Sequence, residues 1–453
     1  MLSHHSELFG KYDIRGKVSE GLDESFAREL GLAFASFLSP EKCGRFLVGH
    51  DVRAHSALLS SAFVEGILDS GSDVVELGMS STPRITLVSA MNGFDGSASV
   101  TASHLAPPFH GFKLFGKQAL PLGSDGTLSV LLSHKAETTS TRGRRIAFAD
   151  LAALDLASYV QTILAKVRLE RPLRVAIDPG HGAMCEEVRQ LKDCLSEQHE
   201  VILLHEEPDA GFPNRPPNPL EDGALDGLRN CVLERGLDFG VAFDGDGDRA
   251  IFVDEQGRMV PTDHITGLLA GKFARQNQGC TVAFDFRSTR AVRELATEYG
   301  AACLPVAVGY PVIIGAMRSR GAVFAGELSG HYYYSDLFCT DNGLRTFVEV
   351  AGEVSCSGRS LSQLLRPMKK YVTSGEINLE VRDAAQILER LETAFKSGEV
   401  RKLDGLSVNF HDWSFSARQS RTEPVLRLTV EAHNEETLKR CTEELLREVR
   451  LDV

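Results

Sequence analysis

The 453-residue sequence predicts an α/β protein in which three related α/β domains with mixed sheets precede a smaller α+β domain. The main observation is a pattern that occurs three times: an apolar run, an amphipathic helix and a second apolar run. The three copies are residues 45–78, 173–205 and 280–309. This change from strand-like to helix-like periodicity and back is typical of βαβ units.

Each copy is followed by a further apolar run that ends in a polar loop. In every copy the first run ends near an aspartate, and these residues are Asp51, Asp178 and Asp285. The later loops contain Ser103, Asp244 and Glu327. The spacing from aspartate to loop differs between copies, so the segments are either diverged repeats or α/β segments that are similar by chance. Because α/β proteins carry their chemistry in loops at the carboxyl ends of strands, we expect the three loops to converge on one cleft.

The sequence follows a different pattern from about residue 371. Short strand-like segments occur there with helices near 383–396 and 435–449, as in a small α+β domain. We therefore predict four domains around a central cleft, at residues 1–145, 146–256, 257–369 and 370–453.

Composition limits the function classes. The net charge of −13 argues against a nucleic-acid or anionic-membrane partner, and no apolar run is long enough to span a bilayer. The first residues show neither a basic leader nor an apolar signal region. Nine dispersed cysteines without a CxxC motif indicate buried thiols in a reducing compartment. These features predict a cytoplasmic protein.

An acidic loop is the first candidate site. Asp244, Asp246 and Asp248 alternate with glycines between two apolar strands, so their oxygens can converge on a hard divalent cation. An EF-hand is a competing interpretation, because Glu255 is twelfth from Asp244. The sixth position is Arg249 instead of glycine, and the flanking segments resemble strands, which both disfavour it.

A serine loop is the second candidate. Thr101-Ala102-Ser103-His104 ends a strand, and Gly111-Phe112-Lys113 follows shortly after. A serine hydroxyl needs a base or a metal beside it to act as a nucleophile. The GxSxG motif of esterases is absent from this segment, so Ser103 gains importance only through its neighbours.

Two further loops have ligand-binding character. Residues 326–331 (GELSGH) offer a carboxylate, a hydroxyl and an imidazole, which suit vicinal sugar hydroxyls. Residues 418–424 (RQSRTEP) combine two guanidinium groups with two hydroxyls, which suits a phosphate.

Taken together, the loops resemble those of the α-D-phosphohexomutase family, in particular the bacterial phosphomannomutase/phosphoglucomutase type. The resemblance covers essentially the whole chain, with the motifs in the family's order. The matching segments are KYDIRG (11–16), TASH (101–104), FP (212–213), NP (218–219), DGDGDR (244–249), VG (308–309), GELSGH (326–331) and SRTEP (420–424).

The resemblance implies an enzyme that interconverts hexose 1-phosphate and hexose 6-phosphate, of mannose or glucose, through a sugar 1,6-bisphosphate that also serves as activator. Ser103 would carry the phosphoryl group in the resting enzyme, within the motif that includes His104. Arg15 and Arg249 would surround the transferring phosphoryl group, with Tyr12 beside them. Mg²⁺ would be held by the phosphoserine and three carboxylates, those of Asp244, Asp246 and Asp248. If one ion is to bridge them, Ser103 must lie within about 8 Å of the acidic triplet.

The remaining roles concern the sugar and its second phosphate. Lys113 and His331 are the positions from which the resemblance implies proton transfer with sugar hydroxyls. Glu327 and Ser329, near the matched Gly309, would bind the sugar. The phosphate that does not react would be bound by Arg418, Ser420, Arg421 and Thr422.

The chain also departs from the family pattern. Leu105-Ala106 stands where Asn-Pro is usual, and His110 replaces an asparagine before Gly111. Ala307 and Tyr310 occupy positions where relatives often carry ligand-binding Lys and His, and Arg421 replaces a common Asn or Gly. These departures leave alternatives open: a phosphoglucosamine mutase, a sugar-phosphate-binding homologue with weak turnover, or a phosphatase with an aspartyl nucleophile.

Overall fold

A computed structural model describes residues 2–40, 43–123, 126–134, 138–147, 155–419 and 425–450. The strands form four successive sheets along the chain, and each sheet defines one of four units, numbered here from the N-terminus. Three mixed sheets are followed by one antiparallel sheet, which confirms the predicted fold class.

The first unit contains a six-stranded sheet of order β1-β5-β4-β2-β3-β6. Its strands are β1 Ile14–Lys17, β2 Arg45–His50, β3 Asp73–Met79, β4 Gly96–Val100, β5 Phe109–Gly116 and β6 Arg145–Ile146. Its helices are α1 Glu24–Leu38, α2 Ser56–Asp69, α3 Thr82–Met91 and α4 Thr127–Ser133. Strand β2 pairs in parallel with β3 and β4, whereas β5 runs antiparallel to β4 and β1.

The second unit has a four-stranded sheet of order β10-β9-β7-β8. Its elements are α5 Leu156–Leu164, β7 Arg174–Asp178, α6 Cys185–Cys194, β8 Glu200–Leu203, α7 Asp226–Arg235, β9 Phe239–Phe243 and β10 Ala250–Asp254. Strand β7 pairs in parallel with β8 and β9, and β9 with β10 forms an antiparallel hairpin.

The third unit has a five-stranded sheet of order β12-β11-β13-β14-β15. Its strands are β11 Thr281–Asp285, β12 Ala302–Val306, β13 Ala322–Gly326, β14 Tyr332–Tyr334 and β15 Thr340–Asp341. Its helices are α8 Thr262–Gln276, α9 Arg290–Glu298, α10 Tyr310–Arg320, α11 Gly343–Ser357 and α12 Leu361–Leu364. Strand β11 pairs in parallel with β12 and β13, so the three sheets repeat one arrangement, as the sequence predicts.

The fourth unit is an antiparallel sheet covered by two helices. Its elements are β16 Val372–Glu380, α13 Ala384–Ala394, β17 Glu399–Lys402, β18 Leu406–Asn409, β19 Trp413–Gln419, β20 Val425–Ala432 and α14 Glu435–Arg450. Its own apolar core includes Leu391, Phe415, Leu428 and Leu445. Short 3₁₀-helices lie elsewhere in the chain, at Leu2–Leu8, Val18–Glu20, Lys117–Ala119, Ser335–Leu337 and Arg366–Met368.

The second and third units share one apolar core. Helix α11 follows the third sheet in sequence, yet its Phe347 packs against Phe239 of β9 in the second unit, with ring centroids 5.9 Å apart. A shared core resists separation of the two units, because parting them would expose apolar side chains to water. The limits of the four domains stay a prediction; strand β6, at Arg145–Ile146, spans the limit drawn between residues 145 and 146.

The structure bears on two predictions made from composition, which concern the burial of the cysteines and the presence of membrane-spanning segments. The nine cysteines are free thiols, but the prediction that they are buried holds fully for three of them, Cys185, Cys339 and Cys441. It is wrong for Cys43 and Cys356, which are exposed, and the other four are half-buried. Among the described residues, no helix combines the length and apolar character needed to cross a membrane.

Candidate active site

The loops of the first three units meet in one buried cluster. Ser103 lies in the loop after β4, the acidic loop joins β9 to β10, and the loop of His331 joins β13 to β14. The Ser103 hydroxyl donates to Asp244 Oδ2 at 2.8 Å, and His331 Nε2 lies 3.1 Å from Asp248 Oδ1. Each of these loops follows a strand that is parallel to its neighbour, so the sheet topology delivers all three to one place.

Ser103 is held in an unusual backbone conformation. Its φ of +52° lies in the left-handed region, which is costly for a residue with a Cβ. The residue is 1% exposed, and its backbone N–H donates to Thr101 Oγ1 at 2.8 Å. The turn directs the hydroxyl at the acidic loop, well within the 8 Å that the sequence analysis requires.

A glycine allows the serine and acidic loops to approach each other. A Cβ atom added at Gly245 would lie 2.5 Å from the carbonyl oxygen of Ser103, a distance at which atoms overlap. Glycine is therefore needed at this position for close backbone contact and not only for the bend of the acidic loop.

The three aspartates of the acidic loop offer carboxylate oxygens within 4.8 Å of one another. Burial and the charges of Asp248 and Asp246 raise the pKa of Asp244 to about 7. Burial opposes ionisation of Asp248 as well, but the charges of Lys113 and His331 hold its pKa well below the usual range. Oδ1 of Asp246 is buried without a hydrogen-bond partner among the described residues. The flanking strands are an antiparallel hairpin, which excludes the EF-hand interpretation.

Lys113, on β5, lies among these carboxylates. Its Nζ donates to Asp246 Oδ2 at 2.7 Å and to Asp248. Burial would lower the pKa of Lys113, but the carboxylates around it, led by Asp246 and Asp248, raise it well above the usual value. With this raised pKa, Lys113 stays protonated and is a positively charged counter-ion of the three aspartates in the acidic loop.

Two arginines contact the residues on either side of the serine in sequence, His104 and Ala102. Arg249 Nη2 donates to Nδ1 of His104 at 2.8 Å, so Nδ1 must carry a lone pair. Burial, followed by the charges of Arg249 and Arg15, lowers the pKa of His104 to about 2, so this ring is neutral. Arg15 pairs with Asp13 and has Nη1 3.4 Å from the carbonyl oxygen of Ala102. Arg249 Nε also lies 3.6 Å from Asp244 Oδ2, the oxygen that accepts from the Ser103 hydroxyl, so positive charge borders the serine and the acidic loop together.

His331 connects the acidic loop to Glu327 and Ser329, which lie with it in the loop of residues 326–331, named the sugar loop below for its predicted ligand. Its Nδ1 lies 2.7 Å from Ser329 Oγ and 3.2 Å from Glu327 Oε2. Burial would lower the pKa of His331, but Asp248 above all raises it to about 10. His331 in turn lowers the pKa of Glu327 to about 2 against the effect of burial. At neutral pH the loop therefore presents an imidazolium beside an ionised carboxylate.

Asp341 is a site residue that the sequence analysis missed. It ends β15, and its Oδ2 lies 3.9 Å from His331 Nε2. Asp248, His331 and Asp341 form a second group whose ligand atoms lie within 4.8 Å. Burial and Asp248 raise the pKa of Asp341 to about 7. Only the pairing of β14 with β15 brings it here, so no local pattern could have indicated its position.

The N-terminal segment contacts the third unit. Tyr12 Oη donates to the carbonyl oxygen of Val308 at 3.1 Å, and Tyr310 Oη donates to the carbonyl oxygen of Tyr12 at 2.8 Å. Gly309 has φ +121°, and a Cβ there would lie 2.3 Å from the Tyr12 ring. Tyr310, one of the departures noted above, thus binds the backbone of the first unit.

A cleft of about 630 Å³ lies between the third and fourth units. Leu328 of the sugar loop lines it, as do Arg287, which follows β11, and Glu376 of β16. Arg418 Nη2 lies 3.9 Å from Oε2 of Glu376, and burial, followed by the positive charge of Arg287, lowers the pKa of Arg418. Ser420, Arg421 and Thr422 lie outside the described residues.

Arg287 is a second residue that the sequence analysis missed. A signal was present: Asp285-Phe-Arg287 repeats the spacing of Asp51-Val-Arg53 in the first unit. Arg287 Nε donates to Asp285 Oδ1 at 2.9 Å.

A serine aimed at clustered carboxylates and bordered by guanidinium groups, in a cleft built by repeated α/β units, defines an enzyme of the phosphotransferase class. Comparisons with known proteins specify the family. Models of the phosphoglucomutase/phosphomannomutase α/β/α domains I, II and III and of its C-terminal domain match residues 6–140, 157–257, 261–371 and 376–448. The chain belongs to the phosphoglucomutase/phosphomannomutase family and is a hexose phosphate mutase.

Individual relatives agree with this membership. A phosphomannomutase of Salmonella montevideo is 34% identical over 97% of this chain and 98% of its own. A protein of Xanthomonas campestris described as "Phosphohexose mutases" is 35% identical over 95% of this chain and 96% of its own. The crystal structure of a phosphoglucomutase/phosphomannomutase family protein from Burkholderia thailandensis matches with a TM-score of 0.87 and 29% identity, covering 99% of this chain and 97% of that one.

Proposed function

We propose that this enzyme interconverts the 1- and 6-phosphates of mannose or glucose by way of a phosphoserine at Ser103 and a sugar 1,6-bisphosphate. The phosphoryl group passes from Ser103 Oγ, which takes up a proton, to the free sugar hydroxyl, whose proton leaves to a base. The bisphosphate then turns around, and its other phosphoryl group returns to Ser103 Oγ, which loses its proton while the sugar oxygen that leaves gains one. The observation that carries the proposal is the 2.8 Å contact between this buried hydroxyl and Asp244.

The donor set supports a Mg²⁺ site at the acidic triplet. Mg²⁺ prefers carboxylate and phosphate oxygens, and Asp246 Oδ1 supplies a ligand that accepts no hydrogen bond from the described residues. We propose that Asp244, Asp246 and Asp248 hold the ion together with the phosphate on Ser103. When bound, it would neutralise the repulsion between phosphoserine and the aspartates. Arg15 and Arg249 would stabilise the equatorial oxygens of the transferring group.

Proton transfer is assigned to His331, with Lys113 beside it. The raised pKa of His331, about 10, keeps its side chain in the protonated imidazolium form when Ser103 lacks a phosphate. We propose that His331 then donates a proton to the sugar oxygen that leaves when the bisphosphate phosphorylates Ser103. Lys113 holds positive charge at the same place. His104, which is neutral, orients Arg249 through its Nδ1.

Sugar and phosphate recognition is proposed for the loops that border the cleft. Glu327 is ionised and can accept hydrogen bonds from vicinal sugar hydroxyls. Ser329 and the backbone of Gly309, which packs against the Tyr12 ring, are the other groups proposed to contact the sugar. Arg287 and Arg418 would bind the phosphate that does not react, together with Ser420, Arg421 and Thr422. The cleft volume suits a hexose bisphosphate.

The free thiols of the protein suit an enzyme of a reducing, cytoplasmic compartment.

The deciding experiment is intact-protein mass spectrometry with peptide mapping on enzyme taken directly from cells under phosphatase-free handling. A phosphoryl group adds about 80 Da and should map to Ser103. The same protein, given hexose 1-phosphate and a trace of 1,6-bisphosphate, should form hexose 6-phosphate. Binding without product would indicate the weak homologue, and release of inorganic phosphate without phosphoserine would indicate a phosphatase.

The pH dependence of metal binding follows from Asp244. Its carboxyl has a raised pKa of about 7, so metal binding below pH 7 must displace a proton. We expect the Mg²⁺ affinity of the unphosphorylated enzyme to fall by up to about ten-fold per pH unit below pH 7 and to stay constant above about pH 8. Calorimetry in buffers of different ionisation enthalpy would measure both affinity and proton release. A constant affinity from pH 5.5 to 8 would contradict the prediction.

Protonation of Asp244 also determines how the stability of the metal-free enzyme changes with pH. Because the folded-state pKa of Asp244 exceeds the unfolded value, its contribution to stability is complete at low pH and is lost as pH rises to about 7. Mg²⁺ added above pH 7 should therefore raise the melting temperature more than Mg²⁺ added at pH 5.5.

Gly245→Ala tests the contact between the serine and acidic loops. The added methyl group would force the carbonyl of Ser103 away, and a displacement near 1 Å is expected to lower kcat by about 100-fold. Gly315→Ala, on α10 with nothing within 4 Å of the added Cβ, is the control and should keep wild-type kcat. Equal kcat in both variants would show that the approach of the two loops is unimportant.

A further inference from the structure

Arg53 is the most completely bonded side chain near the nucleophile. It is 0% exposed, and its Nε donates to Asp51 Oδ2 at 2.9 Å. The other four N–H groups donate to carbonyl oxygens of the serine loop at 2.6 to 3.0 Å. These carbonyls belong to Ser103, Leu105, Ala106 and Phe109. All five donors of the guanidinium group are therefore used, which a lysine could not reproduce.

Asp51 extends this network to the other side of the nucleophile. Its Oδ2 also accepts from Thr101 Oγ1 at 2.8 Å, and Thr101 Oγ1 accepts from the backbone N–H of Ser103 at 2.8 Å. Both backbone polar groups of Ser103 are thus bonded to one buried unit, formed by Asp51, Arg53 and Thr101. This bonding supports the left-handed φ of +52° that aims the hydroxyl at Asp244.

The departures in the serine loop fall where Arg53 binds. Leu105 and Ala106 replace residues that are usual in the family, but Arg53 contacts only their carbonyl oxygens. Backbone contacts do not depend on the side chain, so the shape of the loop can persist through these replacements.

The second and third units contain comparable pairs. Arg215 donates to Asp178 Oδ2 at 2.8 Å and to the carbonyl oxygen of Phe243, directly before Asp244, at 2.6 Å. In the third unit Arg287 pairs with Asp285, whose Oδ2 lies 3.4 Å from the backbone N of Leu328 in the sugar loop. An arginine paired with the aspartate at the end of the first repeat strand thus occurs in each of the three units, and the pair borders the active loop.

We propose that Arg53, through Asp51 and Thr101, is a positioning residue that sets the geometry of Ser103 for phosphoryl transfer. The proposal rests on the proposed phosphoserine function. Weakening the network should misplace the nucleophile without changing the sugar or phosphate subsites, because Arg53 contacts neither the sugar loop nor the cleft to the fourth unit. The defect should therefore appear in kcat and not in KM.

The test compares Arg53→Lys, Thr101→Val and Thr101→Ser in the full-length enzyme. We expect Arg53→Lys and Thr101→Val to lower kcat by about 10- to 100-fold with KM for the hexose phosphate within about two-fold of wild type. Thr101→Ser keeps the hydroxyl and should restore most of the rate. Arg345→Lys is the matched control, since Arg345 is buried and paired with Glu349 away from the serine loop.

Hydrogen exchange separates this proposal from the proposed function. The backbone amides of residues 102–106, 109 and 110 should exchange faster in Arg53→Lys than in wild type or Arg345→Lys, whether or not the enzyme turns over hexose phosphate. The proposal is overturned if Arg53→Lys melts at the same temperature as Arg345→Lys but keeps wild-type kcat and exchange. If the wild-type enzyme has no mutase activity but the loop amides still exchange faster in Arg53→Lys, the phosphoserine function is refuted and the role of Arg53 in shaping the loop is retained.

Discussion

Ser103→Ala is expected to lower the rate of hexose phosphate interconversion by at least about 10⁴-fold, because it removes the atom that carries the phosphoryl group between the two halves of the reaction. The substrate should still bind, since the sugar loop and the cleft are formed by other units. The measurement is a coupled assay of hexose 6-phosphate formation, together with equilibrium binding of hexose 6-phosphate and mass spectrometry of the variant, which should show no phosphoryl group.

The control for this variant lies on the same strand. Ser97 of β4 is buried, and its hydroxyl has no hydrogen-bond partner among the described residues, so Ser97→Ala should keep both rate and phosphorylation. If Ser103→Ala remains active while Asp244→Asn is inactive and wild type releases inorganic phosphate, the nucleophile is an aspartate and the enzyme is a phosphatase.

Asp246→Asn is expected to weaken Mg²⁺ binding by about 100-fold or more and to lower kcat at limiting Mg²⁺. An amide keeps the size of the side chain but removes the negative charge and one anionic ligand. Titration with Mg²⁺ would measure the affinity. Thermal melting gives a second readout without turnover, because a ligand that binds the native state raises the melting temperature according to its concentration and affinity. Saturating Mg²⁺ should partly restore the rate of the variant.

Asp254→Asn is the matched control in the same hairpin. Asp254 is buried at the end of β10 and accepts hydrogen bonds from Gln256 and Arg258, outside the acidic triplet. Its replacement should reduce stability without changing Mg²⁺ affinity. Equal loss of Mg²⁺ affinity in the two variants would show that the effect is general to the hairpin and that the triplet is not the metal site.

The repeat explains why so much of the fold was predictable. A parallel βαβ unit requires two apolar strands and an amphipathic helix in a fixed order, and that order is visible in the sequence as a change of periodicity. The anchor aspartates Asp51, Asp178 and Asp285 lie at the ends of β2, β7 and β11 as expected. The helices expected near 383–396 and 435–449 correspond to α13, Ala384–Ala394, and α14, Glu435–Arg450.

The site was predictable where one loop carries all its chemistry and not where the chemistry is assembled from distant segments. Asp244, Asp246 and Asp248 converge because they alternate with glycines in a short loop, so local spacing is sufficient. Asp341 reaches His331 only through strand pairing, and Arg53 acts on carbonyl groups that a sequence does not distinguish. The position of Asp341 has no local signature, and the Asp-x-Arg spacing that Arg53 shares with Arg287 does not indicate which carbonyl groups Arg53 contacts.

The sequence by itself determined the repeated α/β units, the loops that carry chemistry and the residue types suited to phosphoryl transfer, because periodicity and loop chemistry are local properties. Only the tertiary structure decided that Lys113 is a counter-ion of the triplet, that burial and neighbouring charges raise the pKa of Asp244 and His331, and that a guanidinium group shapes the serine loop. The reason is physical: charge interactions and desolvation depend on distances between side chains that are far apart along the chain, and folding sets those distances.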